Sequence, residues 1–185
     1  MSEVKESAPF LEEQNLLDLL PKPKGIEITI VPDDVYNIPS EFDLSRFPEN
    51  DRKWAQQSFE HVKNYIELPI ISDNFPSAEA RKNWRTITFR NRERVNGRAV
   101  ADKFLKMIKG KISSTRINTL VGGIEFLSYS LPPDDPDCKF IADYQKDLNV
   151  REKAGMLDGP TTKARIEEVK DLSRRAASVL NKFAK

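Results

Sequence analysis

The stretch from Asn50 to Pro69, NDRKWAQQSFEHVKNYIELP, is where the chain changes period. Trp54, Ser58, Phe59, Val62, Tyr65 and Ile66 recur at the intervals that line one face of an α-helix, so this stripe is expected to face a core. Pro69 ends the run, because proline lacks an amide hydrogen and crowds the preceding turn.

Upstream of Asn50 no helical period holds. Eight of the 12 prolines lie in the first 76 residues, which excludes one continuous helical body there. FLEEQNLLDLL at 10–20 reads as a short amphipathic segment with Phe10, Leu16, Leu17, Leu19 and Leu20 as apolar anchors, stopped by PKPKG. IEITIV at 26–31 alternates Ile26, Ile28 and Ile30 with Glu27 and Thr29, the period of a half-buried strand. A lone strand needs a partner, so it either adds to another subunit or stays extended. Between Pro32 and Pro48 the chain reads as irregular, with Tyr36, Ile38, Phe42, Leu44 and Phe47 placed to lie along a surface. Residues 1–49 are therefore expected to form an extended, acidic, proline-punctuated arm.

Downstream of Pro69 the helical period returns. Ser77 is a candidate cap for a second helix with Ala80, Trp84, Ile87 and Val95 inward, although WRTITFR also has strand character. Asn96-Gly97 breaks it, and a third helix carries Val100, Phe104, Met107 and Ile108. Ser113 or Ser114 caps a fourth, whose stripe is Ile117, Leu120, Val121, Ile124 and Leu127. After the loop SLPPDDPD, Asp137 is a candidate cap for a fifth helix bearing Phe140, Ile141, Tyr144 and Leu148. Asp158-Gly159-Pro160 opens a sixth, with Ile166, Val169, Ala176, Ala177, Leu180 and Phe183 buried. The expected fold is mainly α: a domain of about six helices over residues 50–185, preceded by the arm.

Hydrophobic residues make up 38% of the chain and charged residues 32%, with a formal net charge of +1. That near-neutral total hides a sorting by position. Residues 1–80 hold 7 Lys/Arg against 16 Asp/Glu, residues 81–116 hold 12 against 2, and residues 117–185 hold 11 of each. Such blocks bear on partners and association, not on fold. The opening MSEVKESAPF has acids and no apolar run, no stretch approaches the length of a membrane span, and the single cysteine, Cys138, has no partner for an internal disulfide. A protein of the cell interior or of a virion, not a secreted one, is the expectation.

Few residues point to catalysis. His61 lies beside an apolar stripe and Cys138 has no histidine near it in sequence. There is no phosphate-cradling glycine loop, and Gly122-Gly123 sits inside a helical pattern, where it suits close packing or a kink. Asp134, Asp135 and Asp137 could attract a hard cation, but their spacing lacks the glycine and distal glutamate of a calcium loop. No enzyme activity and no cofactor are expected.

The basic block is the strongest functional signal. Arg81, Arg85, Arg90, Arg92, Arg94, Arg98, Lys103, Lys106, Lys109 and Lys111, with Lys82 and Arg116, would form a cationic ridge able to track a phosphate backbone independently of base sequence. Trp84 and Phe89 could stack on bases, but suit a core stripe better. The competing reading is a solvated basic face neutralised by the acidic arm. In the arm, LLDLL resembles short leucine-rich docking motifs read by helix grooves or clathrin-type adaptors; folding back onto its own domain is the alternative.

YQKDLNV at 144–150 and AGMLDGPTTKARI at 154–166 resemble the second half of a peptidoglycan-binding-like helical repeat, through Tyr144-Gln145, Gly159-Pro160-Thr161, Ala164 and Ile166. That resemblance implies a helix, a glycine–proline turn and a second helix. A helix–turn–helix capped by Asp-Gly-Pro accounts for the same residues and is preferred here. Together these features suggest a nucleic-acid-associated structural or assembly protein, nucleocapsid-, matrix- or packaging-like by architectural analogy, self-associating through its arm. The alternative is an adaptor whose leucine-rich arm docks on a partner protein.

Overall fold

The computed structural model describes residues 27–74, 79–80, 82–83, 112, 114–154 and 163–185. Among these the protein is mainly helical, with four α-helices and one two-stranded sheet. The helices expected around Ala80–Val95 and Val100–Ile108 fall outside the described residues, apart from Glu79, Ala80, Lys82 and Asn83, which are helical. The described residues divide between two compact units.

One unit contains strands β1 (Glu27–Val31) and β2 (Ile70–Asn74), paired antiparallel with Glu27 opposite Asn74 and Val31 opposite Ile70. The strand expected at 26–31 is therefore present, but its partner lies in the same chain; it neither stays extended nor needs another subunit. Sequence reading missed β2 because Ser72, Asp73 and Asn74 are weak strand formers. Pro69 supplies the physical signal, since a proline disfavours helical geometry in the residue before it and sends Leu68 toward extended backbone. Ile30, Leu68, Ile70 and Ile71 are buried.

The other unit contains α1 (Arg52–Glu67), α2 (Ser114–Ser128), α3 (Pro136–Lys153) and α4 (Lys163–Asn181). Helix α2 is central, packing on α1, α3 and α4, while α1 also packs on α4. Its role follows from composition: Ile117, Leu120, Val121, Ile124 and Leu127 are all fully buried, as their spacing foretold. Of the two readings of the glycine pair, close packing holds at Gly123, where an added β-carbon would meet Val62 of α1; Gly122 has open space at that position. On α4, Val169, Leu172, Ala176, Ala177, Val179 and Leu180 are buried, and Phe183 just beyond its end as well. Ile166, expected inside, is only half-buried.

Two further expectations are corrected. Trp54, expected on the inward face of α1, is 59% exposed. The buried residues are Ala55, Phe59, Val62 and Ile66, whose 4-3-4 spacing centres the stripe about a third of a turn away from Trp54. Asp137 does not cap α3. Asp135 does, accepting the Asp137 amide at 2.9 Å, with Pro136 taking the first helical position where no donor is needed.

Residues 34–49 run along the helices of their own chain. Two short 3-10 turns, Leu44–Arg46 and Glu49–Asp51, lead into α1. Phe42 and Phe47 are buried in an aromatic cluster, Phe42 stacking on Phe59 at 4.4 Å and lying 5.2 Å from Phe183. The Asp43 amide donates to Phe183 O (2.8 Å) and the Lys185 amide to Glu41 O (3.3 Å), a β-bridge that ties this segment to the residues after α4. Asn181 Nδ2 donates to Asn37 O at 2.7 Å, and Tyr36 Oη to Lys170 O at 3.3 Å.

Candidate functional site

Of the cationic residues expected to contact phosphate, Arg81, Arg85, Arg90, Arg92, Arg94, Arg98, Lys103, Lys106, Lys109 and Lys111 lie outside the described residues, as do the apolar anchors Phe10, Leu16, Leu17, Leu19 and Leu20. Lys82 is described and exposed. Arg116 does not belong to a solvent-facing ridge: it is 1% exposed, and its Nη2 donates to Tyr65 O at 3.1 Å. That carbonyl lies in the last turn of α1, where helix carbonyls lack helical partners, so a guanidinium is well placed there. Charge counting could not detect this, because the arginine sits just inside the start of the α2 stripe.

Elsewhere in the helical unit, two clusters of charged residues pair internally. Lys182 Nζ sits between Asp135 (2.8 and 2.9 Å) and Asp137 (2.5 Å), while Arg175 approaches Asp137 at 3.8 Å and covers the Phe140 ring at the same distance. The hydrogen bond from Lys182 holds the Asp135 carboxyl below its ordinary range. Burial alone would lower the Lys182 pKa, but bonds to Asp135 and Asp137 outweigh it and raise the value. An ammonium thus occupies the space between the carboxylates that had suggested a cation. Among the described residues, no group of three or more His, Cys, Asp or Glu is arranged to hold a metal ion.

A second cluster joins α3 to α4. Arg151 makes a two-pronged contact with Glu168 (Nη2–Oε1 2.6 Å, Nη1–Oε2 3.0 Å), the planar fork that matches a carboxylate. Tyr144 donates to the same Glu168 oxygen and lies under the Arg151 guanidinium. Burial pushes the Tyr144 phenol well up, and the adjacent carboxylate adds to it. Burial works against the Glu168 carboxylate, yet the bonds from Arg151 and Tyr144 together keep its pKa below the ordinary value. Tyr144, the first residue of the repeat-like motif, therefore serves an ion pair between helices, while Gly159, Pro160 and Thr161 lie outside the described residues.

Cys138 donates to Ser128 O at 3.3 Å, and burial raises its thiol pKa. His61 is exposed on α1.

The outer face of α1 is open to solvent. Trp54, Gln57, His61 and Asn64 are exposed and Tyr65 half-buried, all within about a third of the helix circumference. Sequence reading missed this surface by drawing Trp54 and Tyr65 into the core stripe. The signal was available in the cleaner Ala55–Phe59–Val62–Ile66 spacing. No protein-family model matches the chain, and no curated protein or solved structure does either. Among the described residues, no helix is long and apolar enough to cross a membrane.

Proposed function

We propose that this chain is a non-enzymatic structural or assembly protein that binds nucleic acid through its phosphate backbone, using the cationic segment from Arg81 to Lys111. The observation that carries the reading is the concentration of 11 Lys/Arg against 2 Asp/Glu in residues 81–111. In the helical unit, by contrast, Lys182, Arg151 and Arg116 each bind an acceptor of the same chain. A segment so rich in arginine and so poor in its own acids calls for an external polyanion, and phosphate oxygens suit the guanidinium fork. Self-association is assigned to the segment bearing Phe10, Leu16, Leu17, Leu19 and Leu20, because residues 34–49 already lie on their own helices.

The test is replacement of Arg85, Arg92 and Arg94 together by Gln in the full chain. The slope of log K against log salt for duplex DNA should flatten by roughly two to three units, with affinity falling alike on unrelated sequences. Weak binding by the unmodified chain at low salt would instead favour the adaptor reading, with the basic segment neutralised by the acidic residues before it.

A further inference from the structure

We draw no further inference here: the strongest candidate, the outer face of α1 bearing Trp54 and His61, is bordered by Glu49, Asp51, Glu60 and Glu67 as well as by Arg52, Lys53 and Lys63, and nothing in the structure shows what covers it.

Discussion

A β-carbon built on Gly123 would stand 2.3 Å from Cγ2 of Val62, so α2 and α1 meet at a contact that only a glycine permits. Its neighbour Gly122 has nothing within 4 Å of the same position. Two adjacent glycines in one helix thus have opposite roles, and their substitution should have opposite signs.

Gly123→Ala should destabilise the protein by about 1–3 kcal/mol, the usual cost of overpacking, unless α1 shifts to relieve it. Gly122→Ala should stabilise by roughly 0.5–1 kcal/mol, because alanine loses less backbone entropy in a helix and has room here. Denaturant midpoints at unchanged m-value measure both. Equal effects of the two substitutions would contradict the close approach at Val62, and Val62→Ala should relieve part of the Gly123→Ala penalty.

Lys182→Met should cost about 1–3 kcal/mol. The substitution keeps the length of the side chain but leaves Asp137, whose side chain is 9% exposed, and Asp135, at 14%, without their shared ammonium. The figure lies between the small worth of exposed pairs and the larger penalty for a buried uncompensated charge, since Lys182 is itself 31% exposed. A double-mutant cycle with Asp137→Asn isolates the interaction. A coupling near zero would mean that the pair contributes nothing.

Stability should be flat near neutrality and fall on both sides. Asp135 and Glu168 have pKa values lowered from ordinary values of 3.8 and 4.5, so the stability they contribute is present above those values and lost as pH falls below them. Lys182 is raised from 10.5, so its contribution is present below that pH and lost as pH rises past it. Thermal midpoints across pH 2–11 check the window (roughly pH 5 to 10). Glu168→Gln and Lys182→Met should each shrink the acid limb; a limb untouched by both would place its origin elsewhere.

Cys138 should react slowly with a disulfide reagent at pH 7 in the folded protein. Burial raises its thiol pKa, and its Sγ is engaged with Ser128 O, so little thiolate is presented. The rate should rise sharply in denaturant. Reaction at the speed of a free thiol under native conditions would show that the turn between α2 and α3 opens readily.

How far the sequence determined this molecule can be read element by element. The stripe Ile117, Leu120, Val121, Ile124 and Leu127 specified α2 and its buried face, because side-chain direction in a helix follows spacing alone. The alternation in 26–31 specified β1 for the same reason. The uneven charge, with its dense cationic block, is likewise a property of the chain before it folds. Tertiary structure decided the rest. It paired β1 with residues 70–74, placed Arg116 under the last turn of α1, and set Lys182 between carboxylates more than 40 residues away. It also distinguished Gly123 from Gly122 and turned Trp54 to solvent. Periodicity tells which way a side chain points on its own element. It does not tell what stands opposite, and partner, distance and desolvation fix whether a charge, a ring or a missing β-carbon matters.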